Sequence, residues 1–291
     1  FQPREPFHPM FGAMPETPLM MEFQITKEYL GFASHLAYLG PMYEEVLRAD
    51  THARGEGSTV AEVIDGSLYP QRANRLTGIA GVANTGSSRD WSGSTFNQAN
   101  WYVFGRMAWN PQTGAEAAAR DWLKMTFSAE PQILETGLDM MLHSHQAVVD
   151  YMTPLGLAHL MATGHHYGPG PWVSDLARPE WNPAYYHRAD RNGIGFDRTS
   201  EGSNAVAQYA PEVAQHFASR SAVGDDLLLW FHHLPWNYPI SSGRDLWEEL
   251  VYRYDRGVSE AQAMQQQWQQ LEPVVDAERF DKTARLLAVQ V

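Results

Sequence analysis

Residues 19–29 read LMMEFQITKEY, in which Leu19, Met21, Phe23 and Ile25 alternate with Met20, Glu22, Gln24, Thr26 and, one step further, Glu28. Period two puts neighbouring side chains on opposite faces of extended backbone, so this stretch predicts a strand with one apolar and one mostly polar face. Downstream, STVAEVI at 58–64 predicts a short helix capped by Ser58 or Thr59. TGIAGVANTG at 77–86 predicts a second strand, built of small residues and ending in turn residues. Phe96, Ala99, Val103, Phe104 and Met107 then recur at i, i+3, i+7, i+8 and i+11, a helix that Asn110–Pro111 stops. Strand, helix, strand, helix is the rhythm of a parallel sheet or a β/α barrel. Two such units do not close a sheet, so this first part reads as the tail of such a domain, with further units expected upstream. The opening at Phe1, with Pro3, Pro6 and Pro9 and no element start, fits that expectation of a piece of a longer protein.

From Gly114 the character changes. AEAAARDWLKMTF (115–127), EPQILETGLDMMLHSHQAVVDYM (130–152), GSNAVAQYAPEVAQHFAS (202–219), GDDLLLWFHHL (224–234) and RDLWEELVYRYDRGVSEAQAMQQQWQQLEPVV (244–275) all predict helix. Trp247, Leu250, Val251 and Tyr254 form one apolar stripe. Residues 164–198 differ: they are Gly-, Pro- and aromatic-rich and predict a long loop between helices, a kind of segment that often carries function. Two domains follow, an α/β part over 1–111 and a mainly helical part over 112–291.

Composition narrows the chemistry. Hydrophobic residues make up 44% and charged residues 19% of the 291, which is a globular chain. No apolar run approaches the ~20 residues of a membrane span. The 34 acidic residues outnumber 21 basic ones, for a net charge of −13, and no Lys/Arg stripe is present, so nucleic acid is not an expected partner. There is no cysteine, which excludes disulfides, thiol catalysis and Cys-ligated zinc. The 10 Trp, 13 Tyr and 12 Phe suit a sugar-binding protein, because aromatic faces stack on the C–H faces of pyranose rings. They equally suit a well-packed core.

Glu28 falls on the polar side of the first strand near its C-terminal end, where β/α barrels place catalytic groups; a surface glutamate at a strand end is the plainer alternative. Glu22 and Gln24 share that face deeper in and read as packed polar support. The histidine pairs His143/His145, His165/His166 and His232/His233 lie far apart and lack the spacing of a metalloprotease helix, so they read as structural and no metal or cofactor is expected. Trp172 and Trp181 cluster in the long loop with Tyr167, Tyr185 and Tyr186, and Pro169 and Pro171 stiffen the backbone around Trp172. That arrangement suits a stacking platform or a loop mini-core. NTGSSRDWSGS at 84–94 lacks the GK[ST] ending and GxGxxG spacing of phosphate loops.

Longer blocks carry a resemblance. FQPREPFHPMFGAMPETPLMMEFQITKEYLG, ANWYVFGRMAWNP, GHHYGPGPW, YYHRAD, NGIGFDRT, GSNAVAQY and LLLWFHHLPWNY are similar to the α-glucuronidases of glycoside hydrolase family 67, over essentially the whole chain. The resemblance implies an N-terminal α/β domain, a central (β/α)8 barrel and a mainly helical C-terminal domain. This chain would then be the last two β/α units of the TIM barrel, with strand seven at 19–26 and strand eight at 77–84, plus the helical domain. It implies inverting, metal-free hydrolysis of the α-1,2 bond between (4-O-methyl)-glucuronic acid and the terminal xylose of xylooligosaccharides. Inversion uses an acid and a base about 6.5–9.5 Å apart so that a water fits between. In the family an Asp and a Glu share the base function. The Glu matches Glu28; the Asp belongs just upstream of Phe1, and the general acid and the uronate-binding basic residues lie further upstream. The isolated chain is therefore expected to be inactive. Aldouronic acids and glucuronoxylan oligosaccharides are the implied partners, with Trp172, His165, His166 and Tyr167 as substrate-binding candidates in GHHYGPGPW. The apolar stripes of the helical domain, and dimerisation of family members through this region, predict a homodimer. Uptake of short oligosaccharides by such members makes a bacterial cytoplasmic location the expectation. A noncatalytic dimerisation or sugar-binding module is the alternative from a different class.

Overall fold

Leu19, Met21, Phe23 and Ile25 are buried while Met20 and Glu22 are exposed, as the period-two reading predicts. The computed structural model describes residues 7–14, 17–28, 30–69, 77–87, 89, 93–162, 164 and 168–291. Its two strands, β1 (Met20–Gln24) and β2 (Gly78–Val82), pair in a two-stranded sheet. Ile25, just after β1, donates its N–H to Val82 O at 2.8 Å, the last residue of β2. The C-terminal ends thus lie side by side and the pair is parallel, so the intervening chain is a crossover. β2 is built of small residues for a packing reason: a Cβ on Gly81 would lie 2.7 Å from both Ile25 Cδ1 and the Phe104 ring.

Two α-helices lie among the described residues of that crossover. α1 (Gly40–Arg48) buries Met42, Tyr43, Val46 and Leu47. The sequence reading passes over it, although Pro41 near its start is a helix-initiating signal. α2 (Val60–Asp65) begins at Thr59 with a capping box. Thr59 Oγ1 accepts from Glu62 N at 3.3 Å, and Glu62 Oε2 accepts from Thr59 N at 2.9 Å. Ser58, the other candidate cap, instead donates to Gly55 O at 2.7 Å. After β2 comes α3 (Thr95–Trp109), capped by Ser94 and ended at Asn110. It buries Phe96, Ala99, Val103 and Met107 of the predicted stripe, while Phe104 is only half-buried.

The rest is mainly helical: α4 (Ala115–Thr126), α5 (Pro131–Met152), α6 (Pro211–Ala218), α7 (Leu246–Gln269) and α8 (Ala277–Gln290). Two predicted helices shrink. Residues 202–219 break into a 3₁₀ turn, Ala205–Gln208, and α6, because Pro211 disfavours helix at Ala210 and starts a new one. Residues 224–234 form only a 3₁₀ turn, Asp225–Leu227, and a single turn at Leu228–Phe231. No helix among the described residues is long and apolar enough to cross a membrane.

The chain divides into two compact units, one of Phe1–Met21, Val46–Ile79 and Met152–Tyr254, the other of Glu22–Glu45, Ala80–Tyr151 and Asp255–Val291. The first is centred on aromatic packing of Phe217 against Phe231, stacked at 4.3 Å, with Tyr209 at 5.1 Å from Phe217. The second centres on Trp268, whose ring lies 5.5 Å from Phe96 and 5.8 Å from Phe280 and whose indole N–H donates to Phe280 O at 3.0 Å. In this unit α7 crosses α5 closely at Gly257, where a Cβ would fall 2.7 Å from Ala147 O and from Tyr151 N.

Candidate functional site

Glu28 does not sit on the strand. β1 ends at Gln24, Thr26 and Lys27 are buried, and the backbone turns left-handed at Lys27 with φ +58°. The carbonyl of Lys27 closes this turn by accepting from Leu30 N at 2.9 Å and Phe32 N at 3.2 Å. Gly31 follows at φ +80°, where a Cβ would run into the His35 ring at 2.1 Å. Glu28 is carried half-buried on this turn. Gln24 Nε2 donates to its Oε2 at 2.9 Å, so the strand fixes the carboxylate through the predicted supporting residue. Tyr43 in turn fixes the Gln24 backbone, donating its O–H to Gln24 O at 3.0 Å with its ring 4.2 Å from Phe23. Glu22, the other expected support, is exposed instead, because its position in the alternation points away from the buried side.

Beneath the turn is a buried polar chain. Lys27 Nζ donates to His35 O. His35 Nδ1 lies 2.5 Å from Tyr151 Oη, which accepts from Gln290 Nε2 at 3.1 Å. Gln290 also holds the Leu36 backbone, accepting from its N–H at 2.8 Å. Burial drives these groups neutral. It lowers Lys27 to about 7, lowers His35 to about 4 with help from the Lys27 charge, and raises the Tyr151 phenol. A neutral His35 whose Nδ1 accepts the Tyr151 proton fits this pattern. Left-handed backbone at a residue other than glycine costs of order 1–3 kcal/mol and persists only where its surroundings enforce it. Here Lys27 and Phe32 (φ +48°) both bear that cost around Glu28.

The second candidate lies in the long loop. An antiparallel bridge joins Met161 to Pro169, with Ala162 N to Gly168 O at 2.7 Å and Gly170 N to Leu160 O at 2.8 Å. Gly170 is required there, since a Cβ would lie 2.6 Å from Ala162 Cα. The chain is pinned on both sides of Trp172. Pro171 O is bound by His187 Nε2 at 2.7 Å, and Val173 O accepts from Ala184 N at 3.2 Å. The Trp172 ring itself is 73% exposed, a fixed backbone presenting a free aromatic face. The predicted aromatic cluster splits. Trp181 is exposed, with the Arg178 guanidinium 5.0 Å from its ring centre. Tyr185 and Tyr186 are half-buried and pack their rings on Phe196 at 5.3 Å and on His159 at 4.1 Å. His165, His166 and Tyr167 lie outside the described residues. Of the other histidine pairs, His143 pairs with Asp139 at 3.1 Å, and His233 Nδ1 lies 2.9 Å from Gly195 O.

Residues 92–291 match the glycosyl hydrolase family 67 C-terminus, and residues 1–91 match the middle domain of that family. The chain belongs to glycoside hydrolase family 67. Similar proteins are alpha-glucuronidase A of Aspergillus tubingensis, 36% identical over 293 residues, and alpha-glucuronidase A of Emericella nidulans, 35% identical over 294. The alpha-glucuronidase of Hypocrea jecorina is 34% identical over 292 residues. In each case the match covers 100% of this chain and 34% of the relative, so the chain spans about a third of the length of the curated relatives it matches.

In this family 67 chain, sequence reasoning missed the Lys27–His35–Tyr151–Gln290 network. One signal was available: Lys27 continues the odd-numbered phase of Leu19, Met21, Phe23 and Ile25, all buried. A lysine in that phase marks a buried amine. The unfolded chain keeps a proton on Lys27 between about pH 7 and its ordinary 10.5, whereas the folded chain does not. Stability therefore rises with pH across that window. At ~1.4 kcal/mol per pH unit at most, the gain from pH 7 to 9 is bounded at about 3 kcal/mol. Urea midpoints should climb over this range for the wild type and stay level for Lys27→Met; a level or falling wild-type profile contradicts a buried, neutral Lys27 amine.

Proposed function

We propose that this family 67 chain is the C-terminal portion of an inverting α-glucuronidase. The reaction would split the α-1,2 bond between (4-O-methyl)-glucuronic acid and the terminal xylose of xylooligosaccharides. The observation that carries the reading is the Glu28 turn: a carboxylate just past the C-terminal end of a parallel strand, fixed by Gln24 and underpinned by strained, buried backbone. The paired C-terminal ends of β1 and β2 support assigning residues 1–111 to the tail of a (β/α)8 barrel and 112–291 to a helical domain. In this reading Glu28 shares the activation of water with an Asp outside these 291 residues. The general acid and the cations for the uronate also come from outside. A net charge of −13 offers no long-range attraction to an anionic substrate, so those local cations must supply the binding.

Trp172 would stack on the xylose side of the substrate. Stacking acts on ground and transition states alike, so it shows as uniform binding. Two assays test this. The 291-residue chain alone should release no glucuronic acid from aldouronic oligosaccharides, and turnover above background would refute the division of labour. In a full-length enzyme, Trp172→Ala should raise KM for those oligosaccharides about tenfold with kcat retained. It should matter little for an activated aryl glucuronide. Equal losses on both substrates would reduce Trp172 to packing its loop.

We also propose a homodimer. Trp247, Val251 and Val258, exposed on α7 at i, i+4 and i+11, give it an apolar face, and sedimentation as a monomer at micromolar concentration would remove that assignment.

A further inference from the structure

A groove of about 850 Å³ opens on the unit that contains α3, α4 and α8. That volume lies within the roughly 300–1,000 Å³ of small-molecule sites. Its aromatic lining is Trp101 and Tyr102 of α3, both half-buried, and the buried Trp122 of α4. The Tyr102 hydroxyl is held by Arg106 Nη1 at 2.6 Å, which fixes its ring. Trp122 packs 5.3 Å from Phe96, and its indole N–H, buried, has no hydrogen-bond partner among the described residues. Trp122 therefore serves as the floor of the groove, beneath the more exposed Trp101 and Tyr102. The charged lining comes from the start of α8. Asp276 pairs with Arg279 at 2.8 Å and Glu278 with Lys282 at 3.0 Å. Two anions and two cations leave no net charge, which argues against an ionic ligand. They offer adjacent donors and acceptors instead, in surface pairs that rearrange at little cost.

We propose that this groove binds a neutral pyranose oligosaccharide. Flat aromatic faces meet the C–H faces of the rings, and the paired charges and the Thr95 and Gln98 side chains meet the hydroxyls. The choice of an unsubstituted β-1,4-xylan chain as the ligand rests on the function proposed above; the neutral-sugar chemistry does not.

The test is calorimetric titration of the 291-residue chain with xylohexaose and, separately, cellohexaose, with indole N–H resonances followed by NMR. Saturable binding of xylohexaose near 1 mM is expected, shifting the Trp101 and Trp122 signals. Trp101→Ala should weaken it about tenfold, the loss of one stacked ring, while Trp101→Phe stays within a few fold and shows that folding is not at issue. Trp109→Ala, at the exposed end of α3, should change nothing. Binding of cellohexaose alone would keep the neutral-sugar groove and count against the xylan reading. No saturable binding of either sugar overturns the proposal. So does binding that Trp172→Ala abolishes and Trp101→Ala leaves intact.

Discussion

In a full-length enzyme containing this chain, Glu28→Gln should lower kcat by ~10²–10⁴ while KM stays within a few fold, the usual range for losing a positioned general base. The substitution is chosen for what it keeps. Gln24 Nε2 donates to Glu28 Oε2, and an amide oxygen at the same place accepts that bond equally well, so the turn holds its shape. The negative charge and the capacity to take a proton from water are removed. On the proposed role, the interaction lost is one made in the transition state, so the loss falls on kcat and on kcat/KM together. Lys27→Met is the companion experiment. Lys27 points into the fold, where it binds the His35 carbonyl, and it acts on Glu28 only through the turn. A Lys27→Met enzyme should lose part of kcat, by less than Glu28→Gln does, with KM retained. A Glu28→Gln enzyme with near-normal kcat would take Glu28 out of the mechanism and leave the turn as strained scaffolding.

The legible part of this fold was its local part. Alternation from Leu19 to Ile25 located β1, the cap signal at Ser58 or Thr59 located the start of α2, and the stripe from Phe96 to Met107, stopped at Asn110, located α3. Each signal is written within one element. Extending the alternation to Glu28 misplaced that residue by a turn. Nothing in the local residue types announces a left-handed lysine, and the network packed beneath it reaches Tyr151 and Gln290, 116 residues beyond His35 and 254 beyond Leu36. The same holds for the loop aromatics. Proximity in sequence grouped Trp172, Trp181, Tyr185 and Tyr186, but Tyr185 and Tyr186 pack on Phe196 and His159 while Trp172 and Trp181 stay exposed. Residues of α3 and α4 meet those of α8 in the groove only through the tertiary packing around Trp268.

The largest loss of stability should follow from Arg256→Met. Asp150 on α5 is fully buried, with 0% of its side chain exposed, and Arg256 on α7 grips it through Nε at 2.7 Å and Nη2 at 2.5 Å. Gln146 Nε2 donates to the other oxygen at 2.9 Å. Arg256 is still 30% exposed and has a longer contact to Glu260 at 3.8 Å, so losing Asp150 would leave the arginine a route to water. Losing Arg256 leaves the carboxylate none. Stranding one partner of a buried pair costs about 3–5 kcal/mol, most of it the unpaired charge and not the worth of the bond. Arg256→Met should therefore lower the unfolding free energy by about 3 kcal/mol, read from urea midpoints at constant slope. Asp150→Asn should cost less. The double variant Asp150→Asn, Arg256→Met should recover much of the arginine deficit, which a double-mutant cycle reports as a favourable coupling. A coupling near zero would assign the loss to the packing of the arginine stem beside Gly257, and not to the charge it covers.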